Sequence, residues 1–247
     1  MPFIFFILGL IIGSFINVII YRLPRGESIV FPPSHCPDCN HKLSPVELIP
    51  VFSYIIQRGK CRQCGKTISI KYPLVELLTG LLFLTNALIF TNILNLIAGL
   101  ILSSLLIALA AIDIEQQILP DKLNLTGLAL GLIISFFRPE FTALNAISGI
   151  LAGGGLLLVI AVLSKGGMGG GDIKLMMMVG TFLGPLQVLL AIFLGAILGL
   201  LASLPGIIAG ELKLKSKLPF GPFLALASLI MWFFGDSLLN LYLRLIL

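Results

Sequence analysis

The chain has 247 residues, is 58% hydrophobic and only 11% charged, with a mean hydropathy of +1.11. That balance excludes a soluble globule, because apolar runs long enough to cross a hydrocarbon layer of about 30 Å recur throughout. The net charge of +5 is no nucleic-acid footprint, and no nucleic-acid partner is expected; its distribution says more, since eight of the sixteen Lys and Arg lie between Arg22 and Lys71.

The expected fold is an all-α polytopic membrane protein of about eight transmembrane helices with a small zinc-bound cytoplasmic loop domain. The first apolar run, FIFFILGLIIGSFINVIIY, lacks a basic start and a small-residue cleavage site, so it reads as a retained helix over 3–21 rather than a signal peptide. Residues 22–73 form the one long hydrophilic segment. By the positive-inside rule it is cytoplasmic, which places the N-terminus outside. Further spans are predicted over 74–92, 95–113, 123–137 and 142–163. The stretch 173–210 is too long for one span and is broken by Gly184-Pro185, so it reads as two. The last span covers 222–243. This topology puts Lys122, Lys165, Lys174, Lys213, Lys215 and Lys217 inside with the long loop, and leaves Arg138 and Arg244 outside. Three domains follow: the first helix (1–21), the loop domain (22–73) and a transmembrane domain carrying an aspartate pair (74–247).

All four cysteines sit in the loop, as CPDCN and CRQCG. Cys36, Cys39, Cys61 and Cys64 form two C-x-x-C turns separated by 21 residues, the pattern of a four-thiolate zinc site. Two disulfides are the alternative, disfavoured by the reducing cytosol. A loop with few large apolar side chains gains its folding energy from metal closure, so the zinc is structural. Gly65 stands where such a turn needs a positive φ. His35 and His41 read as solvated loop residues.

Among the eleven acidic residues, Glu27, Asp38 and Glu47 read as solvated loop groups, and Glu140, Glu211 and Asp236 as interfacial. Asp113 ends the run LLIALAAI. Asp172 follows the glycines of SKGGMGGGDIKL, in which five of twelve residues are glycine. Ionisable groups at such depth point to function. Two carboxylates at one membrane level can share a proton, one acting as general base on water and the other polarising a carbonyl. The alternatives are a helix N-cap for Asp172 and an interfacial position for Asp113. Asp121, after Pro120, reads as the N-cap of the next span, and Glu115 points to another helix face than Asp113. Glu76 is a second polar candidate, equally readable as the partner of a basic loop residue. GSFINV in the first span reads as helix packing with Asn17 bonding across helices. Met176–Met178 read as lipid-facing or core packing, and Trp232 as apolar packing.

The motifs GSFINVIIYRLP, CPDC, CRQC, KYPLVELLTG, IDIEQQILPD and GGGDIKL, in this order, resemble the bacterial type IV prepilin peptidases, and most closely the competence type of Gram-positive bacteria. The resemblance covers nearly the whole chain. It implies a G-x-G-D membrane aspartic endopeptidase, related to archaeal preflagellin peptidases and distantly to presenilin. The motif falls on Gly169, Gly171 and Asp172, and the other catalytic aspartate on Asp113. The family's zinc thiolates fall on Cys36, Cys39, Cys61 and Cys64. The implied substrates are prepilins or pseudopilins, cut after a glycine on the cytoplasmic side of the bacterial inner membrane. Many relatives then methylate the new N-terminus with S-adenosylmethionine; no glycine-rich nucleotide fingerprint between a strand and a helix marks that activity here. Two other classes compete: an ion-coupled transporter, which should show related halves where no repeat is evident, and a zinc-bearing assembly scaffold, which leaves both deep aspartates unexplained.

Overall fold

The computed structural model describes residues 2–165, 167–208 and 219–246. The predicted interfacial Glu211 and inside Lys213, Lys215 and Lys217 lie outside the described residues. The chain divides into two compact units, Met1–Leu96 and Ile97–Leu247. Among the described residues every regular element is a helix; the only strand-like pairings are two isolated bridges in the cysteine loop.

In the first unit, α1 (Pro2–Arg22) packs on α3 (Lys71–Ile89), with the short α2 (Phe52–Ile56) in the loop between. The α1 sequence has two faces. Phe3, Ile4, Ile7, Ile11 and Phe15 stay exposed on the side left for lipid, while Gly9, Gly13, Ile16, Asn17 and Ile20 recur at helical spacing and are buried. Glycine allows the close approach: a Cβ at Gly13 would lie 2.7 Å from the Glu76 Cα, and one at Gly9 the same distance from the Gly80 Cα. Asn17 donates to the Tyr72 carbonyl at 3.0 Å, the interhelical bond expected from GSFINV. The buried Arg22 then anchors the start of the loop, donating to the carbonyls of Ser28 (3.0 Å) and Pro33 (3.4 Å).

The second unit holds most of α4 (Ile93–Gln116), then α5 (Asp121–Ser135), α6 (Ala143–Leu163), α7 (Gly170–Ile208) and α8 (Gly221–Ile246). α7 is its hub, packing on α5, α6 and α8. It is not one rod. Gly184 has φ 78° and ψ −179°, outside helical space, and separates limbs 170–183 and 185–208. Gly153 of α6 meets Met176 of the first limb and Val188 of the second. In a straight helix those two residues would stand about 18 Å apart. The chain therefore reverses at Gly184-Pro185, which is where the sequence splits the long stretch into two spans. Arg138 secures the turn. It donates to the Phe182 carbonyl at 3.0 Å, freed by the break, and lies over the rings of Phe141 (4.2 Å) and Trp232 (5.3 Å). Burial pushes its guanidinium down to about 10, still charged at neutral pH. Trp232 thus adds a cation–π contact to its apolar packing.

Six described helices are long and apolar enough to cross a membrane, α7 counting once. With the two limbs taken separately and the 15-residue α5 added, eight apolar helical segments match the eight expected spans. α5 and the first limb are both short, and they pack together: Gly127 against Met178 and Gly131 against Thr181. Met176 and Met178 are fully buried, so the methionine run is core packing.

Candidate active site and metal centre

Asp113 continues the buried stripe of α4. Leu102, Leu106, Leu109 and Asp113 recur at spacings of four, three and four, and all are buried. The stripe carries the carboxylate into the unit, whereas Glu115 is exposed on another face. Asp172 does the same from the other chain direction. It lies in the first turn of α7, on the face continued by the fully buried Leu175, Met176 and Val179. The two aspartates are close enough for the Asp113 charge to act on Asp172.

Each carboxylate meets the N-terminal end of a helix. Asp113 Oδ2 accepts the backbone N–H of Gly221, the first residue of α8, at 2.9 Å in a buried bond. Asp172 turns back on the Gly169 backbone amide, the contact a capping carboxylate makes in the third helical position. Helix N-termini carry partial positive charge, and this offsets the mutual repulsion of two neighbouring carboxylates.

The glycines around them are spatially selective. A Cβ at Gly169 would lie 3.0 Å from Asp172 Oδ2, one at Gly171 would lie 2.9 Å from the Leu119 Cβ, and one at Gly170 would meet nothing. A Cβ at Gly221 would lie 2.7 Å from Asp113 Oδ2. The sequence reading passed over Gly221. Its signal was present in FGP at 220–222, a glycine amide opening a helix beside a proline, which is an anion-binding helix start.

Asp121 differs from expectation. Pro120 occupies the N-cap of α5, Asp121 stands one residue inside, and its Oδ2 pairs with Lys174 Nζ at 2.7 Å in an exposed ion pair. A lysine on the adjacent α7 limb satisfies the carboxylate better than its own backbone.

The loop cysteines converge. All four Sγ atoms lie within 4.8 Å of one another, with Cys36 and Cys64 at 3.9 Å and Cys39 and Cys61 at 4.0 Å. Those separations exclude disulfides. They match the roughly 3.8 Å edge of a tetrahedron of thiolates around an ion bonded at about 2.3 Å. The cluster could hold a metal ion, and its donor set suits zinc. The two turns are built alike. Cys36 N–H bonds the His41 carbonyl and Cys61 N–H the Lys66 carbonyl, both at 2.9 Å. The residue after each second cysteine has positive φ, Asn40 at 56° and Gly65 at 70°. Lys66 and Asp38 tie one turn to the other by an ion pair.

Two loop acids depart from the sequence reading. Glu47 is buried rather than solvated. Its Oε2 accepts the Ser44 N–H (2.9 Å) and hydroxyl (2.8 Å) in a capping box, and His41 adds a 3.3 Å contact. The Ser44 bonds hold its carboxyl below the usual range. Ser44-x-x-Glu47 was the overlooked signal. His41 is thus a partner rather than a free loop residue, while His35 is half-buried with Nδ1 3.1 Å from the Pro33 carbonyl. Among the described residues Glu76 has no basic partner. It accepts the Val51 N–H at 2.7 Å and bonds Ser14.

Two family models match the chain. That of the bacterial peptidase A24 N-terminal domain matches residues 7–90, within the first unit, and that of the type IV leader peptidase family matches 100–204, within the second. A protein named prepilin leader peptidase/N-methyltransferase from Bacillus subtilis (strain 168) is 37% identical over 254 residues, covering 99% of this chain and 98% of its own. Its namesake from Aeromonas salmonicida (strain A449) is 36% identical, covering 98% and 94%. One from Myxococcus xanthus (strain DK1622) is 40% identical over 72% of this chain and 55% of its own. No solved structure matches the chain. Full-length similarity at this level, with carboxylates carried on long apolar helices and a four-cysteine cluster in the loop of the first unit, places the chain among the multi-pass membrane proteins of the type IV leader peptidase family.

Proposed function

We propose that the chain is a membrane aspartic endopeptidase that removes the leader of type IV prepilins or pseudopilins, cutting after a glycine, with Asp113 and Asp172 as the catalytic pair. The observation that carries this reading is that α4 and α7 bring a buried carboxylate, Asp113, and a half-buried one, Asp172, near enough for the charge of one to act on the other, in a member of this family. One aspartate, ionised, takes a proton from water. The other, protonated, polarises the scissile carbonyl through a hydrogen bond and then gives its proton to the leaving amine. Water and peptide atoms balance, and the pair ends with its proton exchanged between partners. Gly169 leaves the Asp172 carboxylate uncrowded, and Gly171 lets the start of α7 approach Leu119 closely. The zinc bound by Cys36, Cys39, Cys61 and Cys64 is structural, since four thiolates leave no open position. It closes the 22–73 loop as a domain of its own beside the first helix (1–21), while the pair belongs to the transmembrane part (74–247).

The similar proteins are also named N-methyltransferases. By the same reading this chain methylates the freed N-terminus with S-adenosylmethionine. The cationic loop faces the cytoplasm and the N-terminus faces out. A reporter fused at residue 139 should be active only in its extracytoplasmic form; cytoplasmic activity would invert the topology.

Cleavage is tested by co-expression with a prepilin and a gel shift for leader loss. Asp113→Asn and Asp172→Asn should each abolish processing, while Asp121→Asn, which loses only an exposed ion pair, should retain it. Full processing by either of the first two removes the pair.

A further inference from the structure

Leader cleavage leaves one feature of the first unit unused: a cavity of about 400 Å³ bounded by α1, the cysteine loop and the start of α3. That volume is within the range of small-molecule sites. Three carboxylates line it, Asp38, Glu47 and Glu76, of which Asp38 is paired with Lys66. Glu47 Oε1 is buried and has no hydrogen-bond partner, while its other oxygen is held by Ser44. It is an acceptor that lacks a donor. Among the described residues Glu76 is held by neutral groups alone, the Val51 amide and Ser14. Val51 is a β-branched residue at φ 62°, a strained backbone kept where its N–H reaches Glu76. The cations of the lining are engaged elsewhere, Lys66 by Asp38 and Arg22 by loop carbonyls. Tyr54 and Tyr72 add aromatic side chains. An acidic cavity with aromatic walls and a waiting acceptor suits a cationic ligand that carries hydroxyls and a flat ring.

We infer that this cavity binds the sulfonium methyl donor S-adenosylmethionine together with the freed α-amine, with Glu47 accepting from the bound ligands and Glu76 taking the amine's proton. The inference rests on the methyl-transfer part of the proposed function. An α-amine is largely protonated at neutral pH and has no lone pair to give. Once Glu76 has taken a proton, the nitrogen lone pair forms the N–C bond as the S–C bond breaks. The donor's positive charge passes to nitrogen, its sulfur leaves as a neutral thioether, and no oxidant is required.

The test uses purified full-length, zinc-loaded protein in nanodiscs. S-adenosylhomocysteine binding is measured by titration calorimetry, and methyl incorporation and leader cleavage on the same samples, with bound zinc confirming the folded loop. Glu47→Gln keeps the capping box, since glutamine also serves there, and should weaken binding about tenfold, the scale of one hydrogen bond to a charged group. Glu76→Gln should bind within about threefold of the unsubstituted chain yet transfer methyl about 10²–10⁴ times more slowly, the usual contribution of a positioned base. If the unsubstituted protein cleaves leaders but neither binds S-adenosylhomocysteine nor methylates, the methyl-transfer reading falls and this site with it. If it binds and methylates, and both variants match it, methyl transfer stands and the cavity assignment alone is overturned.

Discussion

Asp113 owes its position to an amide that is 108 residues away in the chain. Gly221 can donate that bond because it has no side chain; a Cβ there would meet the carboxylate oxygen at 2.7 Å. Gly221 is therefore a positioning residue for the proposed pair. Gly221→Ala should lower kcat for leader cleavage about 10²-fold, the cost typical of displacing a reacting group by about 1 Å, with KM nearly unchanged. Gly170→Ala is the contrast, because its Cβ would enter open space, and it should cleave normally. Equal activity in both variants would remove the Gly221 role. At this scale the sequence singled out Asp113 and Asp172 as candidates and the four cysteines as a converging set, and the cysteines do converge. It misread Glu47 and Asp121, because a carboxylate in a loop or after a proline has several local solutions. Only the neighbours brought by folding, Ser44 and His41 for one and Lys174 for the other, choose among them.

Helix pairing in this molecule depends on backbone approaching backbone. At the crossing of α6 and α7, a Cβ on Gly149 would lie 2.1 Å from the Gly180 carbonyl oxygen. Backbone cannot swing aside as a side chain can. Gly149→Leu should therefore destabilise the second unit by at least the ~1–3 kcal/mol typical of overpacking. Denaturant unfolding in detergent, followed through Trp232 fluorescence, measures it; an unchanged midpoint would deny the close crossing. The reversal at Gly184-Pro185 was readable as a break. That the limbs fold back upon each other follows only from Gly153 meeting both of them.

The molecule as a whole combines two units with different sources of stability. The helices of the second unit bury apolar faces and small-residue crossings. The loop of the first unit has short turns, two bridges and a cysteine cluster, with little core of its own. Removing zinc with a strong chelator, or substituting Cys61→Ser, should open residues 22–70 to protease while α4–α8 stay protected. Mass spectrometry of limited digests measures this. A loop that remains resistant without metal would mean that packing, not zinc, holds it.

The sequence by itself determined where the apolar segments lie, which cysteines converge and which carboxylates sit deep, because these follow from composition, short spacing and helical period. Family membership was readable for the same reason, from ordered local motifs. The tertiary structure alone decided that Asp113 meets Gly221 and the charge of Asp172, that Glu76 faces a strained amide, and that Glu47 has a buried oxygen without a donor. Those facts depend on contacts between residues far apart in the chain. Helical period says which face a residue occupies, but not which distant backbone will approach it.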